Sequence, residues 1–156
     1  EIQVSQKRTI AKLFKDRIIK DISQESIKNP FSMTRSYTIT FDDTSKIISN
    51  DDFIIENGVI RKSTSISQAS IISQTKVSDI DAVNMSLEVI GSTLDGATFY
   101  FVADGSDNYQ VIYPRTDTSV TNTGKNIRLK IIITDNNTRI DTIGLYWRWE
   151  YAKGMV

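Results

Sequence analysis

The side chains best equipped for chemistry in this chain are carboxylates and phenols, because its 156 residues include neither histidine nor cysteine. Their absence removes the commonest general base and metal ligand, the thiolate nucleophile and the thiolate zinc site. Two chemistries remain open: a carboxylate pair can cleave glycosides, and a hydroxyl can be activated by lysine. No spacing in the chain spells out either arrangement, so a binding or building role is expected, with no cofactor and no metal. The run Asp104-Gly105-Ser106-Asp107-Asn108 is oxygen-rich enough to suggest calcium, which takes six to eight oxygen ligands. However, the alternating acidic loop closed by a distant glutamate is missing, and a polar turn explains the same residues. Asp42, Asp43, Asp51 and Asp52 carry the same ambiguity.

Tyrosines flank that turn. Tyr100, Tyr109 and Tyr113 alternate with apolar residues in a way that points them away from a core, and a phenol with an apolar body and a polar tip is a typical recognition group. The candidate ligand-binding set is therefore Tyr100, Asp104, Asp107, Asn108, Tyr109 and Tyr113, with Tyr146 a further outward-facing phenol. Trp147, Trp149 and Tyr151 share the alternation of Ile143 and Leu145, so all three are expected on the core side.

These groups need elements to hold them. Ile10, Leu13, Phe14, Ile18 and Ile22 recur every three or four residues, which predicts an amphipathic helix over 5–22. Asn29-Pro30 closes it, since proline disfavours helix at the residue before it. Residues 1–30 are read as a helix and linker serving assembly through those five apolar residues, and 31–156 as the β domain. Lys7, Arg8, Lys12, Lys15, Arg17 and Lys20 lie mostly off the apolar stripe and have no interleaved aromatics on which bases would stack. With 19 basic residues balancing 19 acidic ones, no nucleic-acid partner is expected. No apolar run reaches the roughly 18 to 20 residues of a membrane span.

Beyond Pro30 the period changes to two, the signature of half-buried strands. Strands are expected over 36–41, over 53–56 and 59–61 around the Asn57-Gly58 turn, irregularly over 63–73, and over 85–89. Further strands are expected over 99–102 and 109–113 around the Asp-Gly loop, over 127–133, and over 143–150. Asp79 to Asp81 reads as a turn. About eight short strands with no helical pattern between them predict a mainly β, antiparallel two-sheet jelly-roll sandwich behind the N-terminal helix.

Three stretches carry a resemblance. Phe99-Tyr100-Phe101-Val102-Ala103-Asp104-Gly105-Ser106-Asp107-Asn108-Tyr109, Asn122-Thr123-Gly124-Lys125-Asn126-Ile127-Arg128-Leu129-Lys130-Ile131 and Ile140-Asp141-Thr142-Ile143-Gly144-Leu145-Tyr146-Trp147 resemble the galactose-binding-like jelly-roll module of bacteriophage tail and baseplate proteins. The likeness covers the C-terminal half only. It implies a non-enzymatic virion module in tail, baseplate or capsid appendage, partnered by other virion proteins and by further copies of itself, and offered to host-surface glycan. The alternatives are a carbohydrate-binding module of a secreted protein and a carboxylate-only polysaccharide-degrading enzyme. If the helix serves assembly, a chain starting at Phe31 should fold as a monomeric β domain by light scattering and circular dichroism while the full chain associates. An unfolded truncation would make the helix part of the core.

Overall fold

A computed structural model describes residues 34–149. The expected helix, its assembly stripe and Tyr151 lie outside the described residues. Among the described residues nine strands follow one another: β1 Thr34–Thr40, β2 Phe53–Glu56, β3 Val59–Lys62, β4 Ala69–Ile72, β5 Lys76–Ile90, β6 Ala97–Val102, β7 Gln110–Ile112, β8 Thr118–Ile133 and β9 Thr142–Arg148. The described chain is mainly β with antiparallel strand pairing, as its β-branched composition and period-two patterning require.

The strand order is β1-β9-β5-β8-β6-β7, with β4 also on β8 and with β2-β3 as a separate hairpin. β8 belongs to two layers. From Thr118 to Ile127 it pairs with β5. From Arg128 to Ile133 it pairs with β6 on one side, and from Lys130 to Ile133 with β4 on the other. The layer β1-β9-β5 turns Tyr37, Ile39, Met85, Leu87, Ile143, Leu145 and Trp147 inward, and the layer β4-β8-β6-β7 turns Ile71, Phe99, Phe101, Ile112, Leu129, Ile131 and Ile133 inward. All belong to one buried cluster. Inner residues of two sheets merging into a single core is consistent with a β-sandwich.

The β2-β3 turn forms where Asn57-Gly58 predicts it, with Glu56 opposite Val59 and positive φ of 51° at Asn57 and 75° at Gly58, as a two-residue hairpin turn demands. The hairpin joins the body through Ile60, whose N–H donates to the Ile140 carbonyl at 2.9 Å.

Three expectations are corrected. The Asp79–Asp81 stretch is no turn: β5 runs through it, with register shifts between Val77 and Ala82 and again before Asn84. Pairing with β8 lapses after Val77 and resumes at Ala82, and between them a polar side chain satisfies the backbone, Ser78 Oγ donating to the Ile80 carbonyl at 2.7 Å and accepting from the Ile80 N–H. Asp79 faces Arg35, which donates to both its carboxylate oxygens at 2.8 and 2.9 Å. The polar stretch 122–126, left outside the strand expected over 127–133, is likewise strand, because β5 pairs with Gly124 and Asn126. Trp149 is the third: it is 38% exposed, since β9 ends at Arg148 and the alternation has no core left to enter.

Trp147 behaves as the alternation predicts, 1% exposed, with its indole N–H donating to Ser78 Oγ at 2.9 Å. Trp147→Ala should cost about 3 to 5 kcal/mol through the cavity it leaves. The check is the urea midpoint of the variant; an unchanged midpoint would mean that the ring is not part of the core.

Candidate functional site

Each sheet gives one face to the core, so strand-borne ligand contacts must come from the outer positions. On the outer side of β4-β8-β6-β7, register places Tyr100 opposite Lys130 on β8 and Val111 on β7, and Ile72 opposite Lys130 on the far side. A transverse row of Ile72, Lys130, Tyr100 and Val111 results. Tyr109 enters from the loop between β6 and β7. The Lys130 ammonium lies 5.0 Å from the centroid of the Tyr109 ring and 5.8 Å from that of Tyr100. At such distances the ring quadrupole attracts a cation, so one lysine draws two phenols together. Tyr113, just past β7, is 62% exposed.

Arg128 fixes the loop beside this row. Its Nε donates to the Tyr109 hydroxyl at 3.0 Å. Its Nη2 donates to the Ser106 carbonyl at 2.8 Å and to Asp107 Oδ1 at 3.1 Å, while its Nη1 reaches Thr75 Oγ1 at 3.3 Å. The guanidinium is largely covered and its geometry is a fork, so it orders backbone and ring together. The Asp107 carboxylate itself is 94% exposed, and a pair that open to water adds little stability.

Asp104 closes the turn. Its Oδ1 accepts from Ser106 Oγ at 2.7 Å and from the Ser106 N–H at 3.0 Å. The hydroxyl bond first, then the backbone bond, and Arg128 at longer range hold its carboxyl below the usual value. Asn108 is exposed and its N–H donates to Ser106 Oγ at 3.1 Å, a turn contact. The structure therefore gathers Tyr100, Tyr109, Asp104 and Asp107 around Arg128 and Lys130, leaves Asn108 as a turn residue, and sets Tyr113 beyond the last β6-β7 pair. Sequence reasoning missed the two cations. Their signal was present in the alternation of Arg128 and Lys130 with Ile127, Leu129 and Ile131, which places them outward.

Among the described residues no three acidic side chains come together as a metal site. Among the described residues the carboxyls that clearly shift do so downward: Asp43 through Ser45, Asp79 through Arg35, and Asp104.

No family model matches the chain, and no curated protein matches it. Among solved structures it is similar to the low-affinity xylan-binding module CBM86 of Roseburia intestinalis, at 14% identity over 78% of this chain and 99% of that one, with a TM-score of 0.46. It is also similar to a Clostridium perfringens protein, CpGH89CBM32-6, at 10% identity over 72% of this chain and 93% of that one, with a TM-score of 0.37. The CENP-C cupin domain of Drosophila melanogaster overlaps at 11% identity, 65% and 83% coverage and a TM-score of 0.24. Overlaps this loose fix neither family nor ligand, so function has to be argued from the residues of this chain.

The Asp104 turn makes a pH prediction. In the unfolded chain the carboxyl takes up its proton near the ordinary 3.8, whereas the folded carboxyl titrates lower. Its contribution is therefore present above the ordinary value and is lost as pH falls through the folded one. Thermal melts taken from about pH 6 down to about pH 2 should show a smaller acid loss for Asp104→Asn than for wild type. Parallel curves would show that the turn holds no charge-dependent stability.

Proposed function

We propose that this chain is a non-catalytic carbohydrate-binding module, a jelly-roll sandwich whose outer β4-β8-β6-β7 face meets polysaccharide. The observation that carries this reading is the gathering of Tyr100 and Tyr109 about Lys130 on an open sheet face. Phenol rings offer apolar faces to the C–H faces of sugars and hydroxyls at their rims. The ammonium and the carboxylates of the adjoining loop supply donors and acceptors for sugar hydroxyls. A broad face between strands suits an extended chain better than a small molecule, which prefers an enclosed pocket.

Binding is favoured over cleavage by the make-up of this face, two phenols about a lysine rather than a pair of facing carboxyls. The virion reading, with its virion partners, rests on the resemblance of 99–109, 122–131 and 140–147 to phage-tail modules, and self-association on the helix expected over 5–22, which lies outside the described residues. Nothing in the described residues adds to it, and the secreted carbohydrate-binding alternative is the one their geometry supports. A protein with this ligand works where polysaccharide is, in secretions or at a cell surface.

Affinity electrophoresis through gels holding soluble polysaccharides checks the proposal. The protein should be retarded by at least one of them, and Tyr100→Ala or Tyr109→Ala should weaken binding about tenfold, ~1.4 kcal/mol, with little change in melting temperature for the strand-borne Tyr100. Retardation in none of the gels, or cleavage of the polysaccharide by the purified chain, would overturn the reading.

A further inference from the structure

The opposite outer face, on β1-β9-β5, is built differently. Register aligns Ser36, Tyr146 and Ser86 across the three strands, Thr38, Gly144 and Glu88 in the next row, and Thr34, Arg148 and Asn84 on the other side. Tyr146 does not stand up from this surface. A Cβ placed on Gly144 would sit 2.9 Å from the Tyr146 hydroxyl oxygen and 3.0 Å from Cε2, closer than real side-chain contacts. The phenol therefore lies back along its own strand, over the space that only glycine leaves empty. It remains 36% exposed, and a recess of about 40 Å³ opens beside it between Thr34, Asn84, Ser86 and Arg148, room for a single hydroxyl or water.

The charges around the ring are neutralised in pairs. Arg115 lies 3.6 Å from Glu88, and Arg148 lies 3.3 Å from Asp117 while donating to Asn84 Oδ1 at 3.0 Å. Among the described residues, the charged side chains of these three rows, Glu88 and Arg148, are both paired, which disfavours phosphate, an acidic glycan or a charged peptide. A protein interface core is mostly apolar and aromatic, whereas this ring is bordered by serine, threonine, asparagine and ion pairs. An aromatic plate lying on a sheet, rimmed by neutral donors and acceptors, matches a neutral pyranose: the C–H face on the ring, the hydroxyls at the rim.

We infer that Tyr146 lying over Gly144 forms a second saccharide subsite, for neutral polysaccharide, on the side of the sandwich away from Tyr100 and Tyr109. The ligand class rests on the carbohydrate reading above; the location does not. With one subsite on each outer face, a single module engages two chains or two stretches of one chain, and avidity exceeds that of either face.

Affinity electrophoresis in gels of xylan, mixed-linkage β-glucan or galactomannan tests this, with melting temperature as the control for folding. Tyr146→Ala should weaken retardation about tenfold. Gly144→Ala, which keeps the phenol but pushes it off the sheet, should do likewise, and Tyr146→Phe should retain binding within about threefold. The double variant Tyr100→Ala/Tyr146→Ala should bind more weakly than either single one. If wild type is retarded and Tyr146→Ala is retarded equally on every gel, this subsite is wrong and the other face stands. If wild type is retarded by none of them, the carbohydrate reading falls and the subsite with it.

Discussion

Strand β8 is asked to satisfy two layers with one backbone. Its first ten residues complete the sheet of β5, β9 and β1, and its last six become the central strand between β4 and β6. A backbone group withdrawn from water must be paired, so both layers depend on the ladder bonds of this one strand. Side chains follow from that pairing: Ile127, Leu129, Ile131 and Ile133 all point inward and are essentially buried, tying the shared strand into the common core. Burying each is worth about 1.5 to 3 kcal/mol before conformational entropy is subtracted. Loss of the shared strand would leave β4 without a partner and part β5-β9-β1 from β6-β7.

The inward alternation on β8 forces the outward one. Once Leu129 and Ile131 are committed to the core, Arg128 and Lys130 are committed to the opposite side, where Arg128 ties down the 104–109 loop and Lys130 meets two phenols. Packing and surface chemistry are thus set by one register, and a slip of one residue would bury both cations and expose both aliphatics. The same logic on β9 puts Leu145 and Trp147 in the core and leaves Gly144, Tyr146 and Arg148 outside. The two outer faces differ in charge because their strands carry different outward residues: an ammonium drawn to aromatic rings on one, ion pairs among serines and asparagine on the other.

Much of the fold was legible because period-two patterning and turn chemistry are local. Asn57-Gly58 specifies its hairpin without help from elsewhere, and the alternation of Ile143, Leu145 and Trp147 names the buried face of the last strand wherever that strand goes. Local signals failed where a neighbour decides. Asp79 and Asp81 carry turn composition, yet the chain stays in the strand there because β8 pairs on either side, at Val77 and Ala82, Ser78 bonds the irregular backbone at Ile80 and Arg35 pairs with Asp79. Trp149 continues a pattern whose core has ended.

For the candidate site the same division holds. The sequence by itself determined that histidine and cysteine chemistry is closed to this chain, that the protein is built from antiparallel strands, and that Tyr100, Tyr109, Tyr113 and Tyr146 are not core residues. Those conclusions need only residue type and alternation. Which phenols share a surface depends on strand order, and strand order joins residues far apart in the chain: Tyr100 meets Lys130 because β6 lies on β8, and Tyr146 meets Ser36 and Ser86 because the last strand inserts between the first and the fifth. Only the tertiary structure decided that, because a strand records which of its residues face outward but carries no record of the strand beside it.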